Sequence, residues 1–308
     1  MARPKPTGFP PEGEELPSAV VDNHTHLPLG PDAAADFPQG VEPLPIDVQL
    51  ARAARAGVVA LIHSGCDLPG LEPAVAVARA HAPVAAAIAI HPNEATHHAR
   101  VTDVGPDGWE PRFRPHHEVS LDDAVARVAE LAAGEPRVVA IGETGLDNFR
   151  TAGRGHAVQR EAFRAHIALA KELDLPLQIH DRDAHADVLD VLRRDGAPER
   201  TVFHCFSGDP ALAEVLNEHG WYASFAGPIT YKTNEELRAA CRAMDPELVL
   251  VETDAPYLTP APFRGRPNAS YLMTHTVRAV AVALGMELTQ ACQQIMANTR
   301  RVYGAWWQ

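Results

Sequence analysis

The sequence predicts a (β/α)8 TIM barrel, a closed ring of eight parallel strands that alternate with helices. Short apolar runs alternate with longer amphipathic segments for eight rounds, which is typical of a parallel sheet. The repeated units run from residue 19 towards residue 308, a length that suits eight strand–helix units. Metal-binding types of residue follow five of the strands, at the end where such barrels keep their active sites.

Each predicted strand is a short apolar run that stops at a polar residue, a glycine or a proline. The last strand is the clearest, because three β-forming residues lead into Glu252, Thr253 and Asp254 before Pro256 stops it. A turn-capping role for Asp254 is the alternative. The strands are expected at residues 19–22, 58–62, 84–90, 138–141, 177–179, 201–203, 221–225 and 248–251.

Between the strands, apolar residues recur at helical spacing. Val125, Val128 and Leu131 share one face of a helix that Ser120 caps, and Gly57 ends the first helix. The helices are expected at residues 46–56, 71–81, 121–133, 156–173, 184–194, 209–219, 234–244, 272–284 and 288–297.

Two loops interrupt this pattern, and a tail precedes it. Residues 28–45 and 93–118 contain Gly and Pro, and we expect them to be loops. Residues 1–18 are expected to form a flexible N-terminal tail, and residues 19–308 a single catalytic barrel domain.

Composition limits the class of function. A net charge of −13 excludes nucleic-acid binding through bulk positive charge, so a phosphate substrate would need metal ions or a few Arg and Lys. Four scattered cysteines without a CxxC motif argue against a zinc knuckle and favour a reducing, cytoplasmic location. No apolar run approaches the ~20 residues of a membrane span, and the N-terminus lacks the apolar core of a signal peptide.

Six residues at predicted strand ends form the candidate metal site. His24 and His26 are two positions apart, so on an extended strand both can bind one ion from one face. Imidazole suits zinc, manganese, nickel or iron, and a carboxylate can join two ions. An open doubly wound sheet, the main alternative fold, would not bring these residues to one point. The set is His24, His26, Glu143, His180, His204 and Asp254.

Other histidines carry weaker signals. His91, before Pro92, is expected to contact substrate or phosphate, and His63 is as well explained by a structural role. For the histidines of residues 93–118 a solvated loop is the favoured interpretation, with a second metal patch as the alternative. These histidines are His97, His98, His116 and His117.

The chain resembles the TatD-type metal-dependent deoxyribonucleases of the amidohydrolase superfamily. The resemblance covers about residues 19–304 and rests on specific motifs that occur in order. They are Val21-Asp22-Asn23-His24-Thr25-His26-Leu27, Ala89-Ile90-His91-Pro92, Ile141-Gly142-Glu143-Thr144-Gly145-Leu146-Asp147, Ile179-His180-Asp181-Arg182-Asp183-Ala184, Phe203-His204-Cys205-Phe206-Ser207-Gly208, Val251-Glu252-Thr253-Asp254-Ala255-Pro256-Tyr257-Leu258 and Asn298-Thr299-Arg300-Arg301.

The resemblance implies a site with two divalent ions, Mg²⁺, Mn²⁺ or Zn²⁺. His24, His26 and Asp254 would hold one ion, His180 and His204 the other, and Glu143 would bridge them. The implied activity is a 3'-5' exonuclease on single-stranded DNA, with RNA also open, and the implied partner is DNA as substrate, for a monomer or weak oligomer. The sequence departs from the family after Arg264-Gly265-Arg266-Pro267-Asn268, where Glu-Pro is usual.

For the reaction we expect Asp254 to orient the attacking water and take its proton, with Glu143 and His91 also catalytic. Arg suits phosphate because its planar fork donates two parallel bonds. Arg150 and Arg154 are candidates for a basic rim, with ordinary surface ion pairs as the alternative. The expected substrate contacts are Arg182, Lys232, Arg264 and Arg266.

Two other functions stay open. The same site could cleave esters, amides or phosphate monoesters of nucleotide-like molecules, because the fold does not decide the substrate. Alternatively, the metal could be structural and the protein a scaffold. A structural zinc site is closed by four ligands, whereas six ligands that share two ions leave positions for water. This difference favours an enzyme.

Overall fold

A computed structural model describes residues 7–29 and 33–308, and it confirms the barrel fold. The strands form one sheet in the order β1 to β8, with parallel pairing along it. The strands are β1 (Val20–Thr25), β2 (Val58–Gly65), β3 (Val84–Ile88), β4 (Val138–Asp147), β5 (Leu177–Arg182), β6 (Thr201–Phe203), β7 (Tyr222–Phe225) and β8 (Val249–Val251).

Helices follow the strands as expected. They are α1 (Ile46–Arg55), α2 (Leu68–Ala80), α3 (Pro92–His98), α4 (Leu121–Ala133), α5 (Arg154–Glu172), α6 (His185–Asp195), α7 (Pro210–His219), α8 (Glu235–Ala243), α9 (Met273–Leu284) and α10 (Leu288–Tyr303). Within the described ranges, none of them has the length and apolar character needed to cross a membrane.

The prediction of a loop over residues 93–118 was wrong at both of its ends. Helix α3 begins there because Pro92 takes the first helical position and the Nδ1 of His91 accepts a hydrogen bond from the Asn93 amide at 3.0 Å. A 3₁₀ helix, Pro115–Glu118, closes the segment. In the other predicted loop, residues 30–32 lie outside the described residues, and a 3₁₀ helix covers Ala33–Asp36.

Contacts between β1 and β8 bring the first and last strands together. The Asn23 side chain donates a hydrogen bond to the Val251 carbonyl at 2.8 Å. Just past β8, the Asp254 amide donates to the His24 carbonyl at 3.0 Å, and the His26 amide donates to the Ala255 carbonyl at 2.7 Å. The carboxyl ends of these two strands are therefore fixed to each other.

The chain divides into two compact units. The first contains residues 1–63, 209–301 and 307–308, and the second contains residues 64–208 and 302–306. The first unit thus carries β1, β7 and β8, and the second carries β3 to β6. A single catalytic domain over residues 19–308 stays a prediction.

The N-terminal segment from residue 7 onwards is anchored, contrary to the flexible tail expected for residues 1–18; residues 1–6 lie outside the described residues. Leu16 is buried, and its amide donates to the Ala56 carbonyl at 3.1 Å. Glu12 pairs with Arg55 at 2.7 Å. The Tyr271 hydroxyl donates to the Pro10 carbonyl at 2.7 Å. Because the composition of the segment is polar and proline-rich, only its tertiary contacts reveal this order.

His166 is a neutral histidine in the core of the second unit. The Ile90 amide donates to its Nε2 at 3.1 Å, and its Nδ1 lies 2.7 Å from the Ala162 carbonyl. Since a carbonyl can only accept, Nδ1 carries the proton and Nε2 has none. Burial lowers the pKa of this ring to about 4.

We expect His166 to make stability depend on pH between about 6.5 and 4. In the unfolded chain the ring takes up a proton near its ordinary pKa of about 6.5, whereas in the folded protein it resists protonation. The contribution of His166 to the free energy of unfolding is therefore complete above about pH 6.5 and is lost as the pH falls. The difference between a pKa of about 6.5 in the unfolded chain and about 4 in the folded protein corresponds to about 3 kcal/mol. Urea unfolding at pH 7.5 and 4.5 should show a smaller pH dependence in His166→Gln than in the wild type. Equal dependence in both proteins would contradict this assignment.

Candidate metal centre

The first unit holds a histidine–aspartate cluster made of His24, His26 and Asp254. The Nε2 atoms of the two histidines lie 3.3 Å apart. The Oδ1 atom of Asp254 is 3.9 Å from His24 Nε2 and 3.3 Å from His26 Nε2. His24 is fully buried, while the side chains of His26 and Asp254 keep partial exposure. Three donor atoms therefore face one point that solvent reaches from one side.

Buried polar contacts hold this cluster in place. Asp22 accepts hydrogen bonds from the Thr253 amide at 2.8 Å and from its hydroxyl at 2.6 Å. Burial raises the pKa of Asp22 to about 7, although the bonds from Thr253 oppose the shift. Asp254 has a left-handed backbone with φ 51°, which few residue types other than Gly, Asn and Asp adopt. Backbone strain of this kind is concentrated at functional sites.

The loop after β8 is fixed by Asn268. Its side-chain amide donates to the Thr253 carbonyl at 2.9 Å and to the Tyr257 carbonyl at 2.7 Å. The chain after β1 is fixed by His63, whose Nδ1 accepts a hydrogen bond from the Leu27 amide at 3.0 Å. His63 is buried, which lowers its pKa to about 3. His63 therefore holds the chain after β1, as the structural interpretation expected.

The second unit holds a glutamate cluster made of His91, Glu143, His180 and His204. Nε2 of His204 lies 2.5 Å from Oε2 of Glu143, and Nδ1 of His180 lies 3.3 Å from the same oxygen. Nε2 of His91 lies 3.8 Å from Oε1 of Glu143. The thiol of Cys66 donates to that oxygen at 3.4 Å. Sequence reasoning did not include Cys66, since a lone cysteine shortly after an apolar strand carries no signal.

Electrostatics keep Glu143 ionised. Burial raises its pKa, but the neighbouring His204 and His91 outweigh burial and hold it well below the usual range. Burial also lowers the pKa of His180, yet hydrogen bonds to Asp147 and Glu143 raise it to about 9. The cluster thus attracts positive charge at its centre, as a cation-binding site does.

His91 differs from its neighbours in its tautomer. Its Nδ1 accepts a hydrogen bond from the Asn93 amide, so the neutral ring carries its proton on Nε2. This Nε2 atom lies 3.4 Å from Nδ1 of His180. Burial lowers the pKa of His91 to about 4. The ring is therefore suited to donate a hydrogen bond rather than to bind a metal ion through Nε2.

Asp147 orients the cluster, and sequence reasoning assigned it no role. Its Oδ2 lies 3.2 Å from Nε2 of His180, while its Oδ1 accepts the amides of Phe149 at 3.1 Å and Arg150 at 2.9 Å. Carboxylates that fix the second nitrogen of a metal-binding histidine raise its basicity. Its position four residues after Glu143 on β4, on the same strand face, was the available signal.

Replacing Asp147 by asparagine should lower metal affinity or activity by about 10–100-fold. The asparagine amide has one oxygen instead of two, so its NH₂ group must face either His180 or the two backbone amides. Because all of these groups are hydrogen-bond donors, one of the present hydrogen bonds is lost. Metal titration and turnover would measure the loss. Asp187→Asn, which changes a carboxylate paired with Arg160, is the matched control. Equal affinity and activity for Asp147→Asn and the control would contradict the role.

The predicted substrate residues have different surroundings. Arg182 is exposed two residues beyond His180 on β5, and its guanidinium lies 4.2 Å from the centre of the Phe149 ring. Lys232 is exposed, and Arg264 lies 4.0 Å above the Tyr231 ring. Arg266 donates to the Gly8 carbonyl at 2.7 Å and to the Phe9 carbonyl at 2.6 Å, so it anchors the N-terminal segment. A substrate role for these residues stays a prediction.

The predicted basic rim is partly neutralised. Arg150 pairs with Asp107 at 3.2 Å, and its guanidinium lies 4.7 Å from the centre of the Trp109 ring. The Trp109 amide donates to the same carboxylate at 3.0 Å. Arg154 donates to the Ala99 carbonyl at 3.0 Å. The residue that stands out is Trp109, which is 65% exposed although it is large and apolar.

The histidines of residues 93–118 do not form a solvated loop, so that interpretation was wrong. His116 and His117 each place Nε2 near Oε2 of Glu94, at 3.1 and 2.8 Å. His98 and His117 are only 5% and 1% exposed. Glu94 in the first turn of α3 thus gathers histidines from both ends of the segment.

Comparison with known proteins identifies the family. The model of the family described as TatD-related DNase matches residues 21–304. The chain belongs to this family of metal-dependent hydrolases. It is 39% identical to the "Uncharacterized metal-dependent hydrolase TatD" of Mycobacterium tuberculosis, over 94% of this chain and 99% of that protein. It is 32% identical to the "3'-5' ssDNA/RNA exonuclease TatD" of Klebsiella pneumoniae, over 84% of this chain and 91% of that protein.

Solved structures show the same TatD fold. A TatD homologue from Escherichia coli, YjjV, has a TM-score of 0.75 at 24% identity and covers 92% of this chain and 97% of its own. A TatD-family hydrolase from Entamoeba histolytica has a TM-score of 0.75 at 18% identity, with 94% and 99% covered. These likenesses confirm the TIM barrel.

The donor atoms of the two clusters fit the divalent ions of a metal-dependent hydrolase. Each cluster combines imidazole nitrogens with a carboxylate, the donor set that zinc and related ions prefer. Neighbouring donor atoms lie 2.5–3.9 Å apart within each cluster. At these distances the imidazole nitrogens and carboxylate oxygens of a cluster crowd together, and a cation at the centre would stabilise that arrangement.

Proposed function

We propose that this protein is a metal-dependent 3'-5' exonuclease that degrades single-stranded DNA, RNA or both, in the cytoplasm. The observation that carries the proposal is the pair of imidazole–carboxylate clusters at strand ends, in a family with a relative named for this activity. The four cysteines, which form no disulfide in the described part of the chain, suit a reducing compartment.

In this proposal the clusters hold two divalent ions. His24, His26 and Asp254 would hold one ion, His180 and His204 would hold the other, and Glu143 would bridge them, as the family resemblance implies. Two such ions lower the pKa of a water molecule and stabilise charge on the attacking and leaving oxygens of a phosphodiester. Mg²⁺, Mn²⁺ and Zn²⁺ are the candidates.

The remaining steps belong to the side chains of this protein. Asp254, partly exposed at the mouth of its cluster, accepts the proton of the attacking water. His91 donates its Nε2 proton in a hydrogen bond to a phosphate oxygen, in keeping with its neutral tautomer. Arg182, on the same strand face as His180, binds a neighbouring phosphate through its planar fork.

Trp109 gives the substrate strand a stacking surface. A chain of contacts ties it to the glutamate cluster. Asp147 contacts His180 and accepts a hydrogen bond from the Arg150 amide. The Arg150 side chain pairs with Asp107, and Asp107 in turn accepts a hydrogen bond from the Trp109 amide. An exposed aromatic ring fixed in this way can stack on any nucleobase, which suits a nuclease without sequence preference.

Replacing Trp109 by alanine should raise KM for a single-stranded oligonucleotide about tenfold, the effect expected from losing roughly 1–3 kcal/mol of stacking. Turnover of bis(p-nitrophenyl) phosphate, which carries no nucleobase to stack, should stay unchanged. Phe113→Ala, at an exposed aromatic residue of the same segment, is the control. An unchanged KM for the oligonucleotide would remove Trp109 from the substrate path.

The alternative is an esterase, phosphatase or deacylase that acts on a nucleotide-like small molecule. One metal-loaded preparation should be tested on labelled single-stranded DNA and RNA and on p-nitrophenyl acetate, phosphate and bis-phosphate esters. The proposal predicts that the oligonucleotides are turned over with the highest kcat/KM. Efficient turnover of an acetate or phosphate monoester without cleavage of either oligonucleotide would replace the nuclease by this alternative.

A further inference from the structure

The two carboxylate oxygens of Glu143 face different donor groups within the second unit. His180 and His204 lie against Oε2. The sulfur of Cys66 lies 3.4 Å from the other oxygen, Oε1. Cys66 comes directly after β2 and is partly exposed, so an ion from solvent can reach it. The glutamate cluster therefore has a thiol beside the oxygen that its two metal-type histidines leave to another ion.

The backbone fixes Cys66 in this position. Its carbonyl accepts a hydrogen bond from the His91 amide at 2.9 Å, which ties the end of β2 to the chain after β3. The next residue, Asp67, caps α2 by accepting a hydrogen bond from the Gly70 amide at 2.8 Å. Because the residue is held on both sides, its side chain faces Glu143 without any rearrangement of the chain.

The spacing of the sulfur and the carboxylate oxygen suits two ligands of one ion. Zinc binds cysteine sulfur at about 2.3 Å and carboxylate oxygen at about 2.0–2.2 Å, so at a tetrahedral angle the two ligand atoms lie about 3.6 Å apart. The observed separation of 3.4 Å between the Cys66 sulfur and Oε1 of Glu143 is close to this value.

We propose that Cys66 is a ligand of the ion that binds Oε1 of Glu143, and that its sulfur makes this position prefer Zn²⁺ to Mg²⁺. Thiolate is a soft ligand that suits zinc, whereas Mg²⁺ takes oxygen ligands. A cysteine beside the carboxylate thus selects among the candidate metals. This inference rests on the proposed two-ion centre, but it does not depend on the nucleic-acid substrate.

Binding through sulfur requires the thiolate. The proton that the Cys66 thiol donates to Glu143 is released to solvent when the ion takes its place. The Ser64 hydroxyl lies 3.2 Å from the sulfur and 3.5 Å from the Gly142 carbonyl. It can donate its hydrogen bond to the sulfur once the thiol proton has left, and a hydrogen bond to a charged acceptor is a strong one.

The test is titration of the full-length protein, first treated with chelator, with Co²⁺ as a spectroscopic substitute for zinc. A bound thiolate gives a sulfur-to-cobalt charge-transfer band in the near ultraviolet, which imidazole and carboxylate ligands do not give. The wild type should show this band and Cys66→Ala should lose it. Cys205→Ala, which changes the other partly exposed cysteine, is the matched control and should keep it. Circular dichroism checks that each variant is folded.

Cys66→Ser separates a metal ligand from a side chain that only donates a hydrogen bond to Glu143. A serine hydroxyl can replace the thiol as a donor, so a hydrogen-bonding role predicts an unchanged ratio of Zn²⁺ to Mn²⁺ affinity. A ligand role predicts that Zn²⁺ affinity falls by about 10–100-fold, at least the loss expected from removing a group that orients a ligand, with a smaller change for Mn²⁺. Competition with a chromophoric chelator measures both affinities.

The outcomes distinguish this inference from the proposed function. Co²⁺ binding without the charge-transfer band, or an unchanged ratio of Zn²⁺ to Mn²⁺ affinity in Cys66→Ser, would overturn the role of Cys66 even if the protein degrades oligonucleotides. The band in a protein that leaves oligonucleotides intact would support Cys66 as a ligand and contradict the exonuclease. A wild type that binds no Co²⁺ would overturn the two-ion centre and this inference together.

Discussion

Glu143→Ala is expected to reduce hydrolysis to below roughly a thousandth of the wild-type rate, as the loss of a central electrostatic group does. Its carboxylate contacts His180 and His204, and in our proposal it also joins the two ions. The shorter side chain removes both oxygens from the centre of the glutamate cluster. Turnover of labelled single-stranded DNA and the metal content of the same preparation would measure the effect.

Glu135→Gln is the matched control for this experiment, because Glu135 is another buried glutamate of the second unit and pairs with Arg79. It should keep full activity. Circular dichroism and the unfolding midpoint show whether Glu143→Ala remains folded. If this folded variant keeps its metal ions and wild-type turnover, the bridging role of Glu143 is wrong.

Asp254→Asn should lower kcat by roughly 10²–10⁴-fold, the usual contribution of a positioned proton acceptor. Asparagine has almost the same shape and tolerates the left-handed backbone at this position, so the loop after β8 keeps its conformation. The amide cannot accept the proton of the attacking water. KM should change less than kcat, since Asp254 is not proposed to hold the substrate.

Asp183→Asn offers a close comparison, because Asp183 also has a left-handed backbone, with φ 53°, and is exposed. It should leave kcat unchanged. A normal kcat for Asp254→Asn with oligonucleotide substrate would assign proton transfer to another group. A loss confined to KM would instead point to substrate binding.

The barrel could be predicted from the sequence because its signals are local. Each strand is an apolar run that ends at a polar residue or at proline, so the position of His24, His180 or Asp254 relative to its strand follows from neighbouring residues alone. The spacing of His24 and His26 predicted that both side chains face one point, and their Nε2 atoms do lie 3.3 Å apart. Binding of one ion by the two stays a prediction.

The parts that could not be predicted depend on contacts between distant residues. Asp147 orients His180 from a neighbouring strand, and Asp22 binds Thr253 across 231 positions of sequence. Arg266 resembled a phosphate-binding residue, yet its guanidinium holds Gly8 and Phe9, which also explains why the segment from residue 7 is anchored. No short window of sequence contains both partners of such a contact.

The segment of residues 93–118 shows the same limit at a smaller scale. Gly and Pro predicted a loop there, and Pro92 instead begins a helix because His91 caps it. The histidines of the two ends are about 20 positions apart, so their gathering around Glu94 depends on how the segment folds back.

Degradation of single-stranded DNA labelled at its 5' end tests the central claim most directly. The purified protein would be incubated with Mg²⁺ or Mn²⁺, and in parallel with EDTA, and the products separated at single-nucleotide resolution. We predict a ladder that shortens from the 3' end, requires metal and is lost with EDTA. An intact oligonucleotide after incubation with folded, metal-loaded protein would contradict the proposed exonuclease.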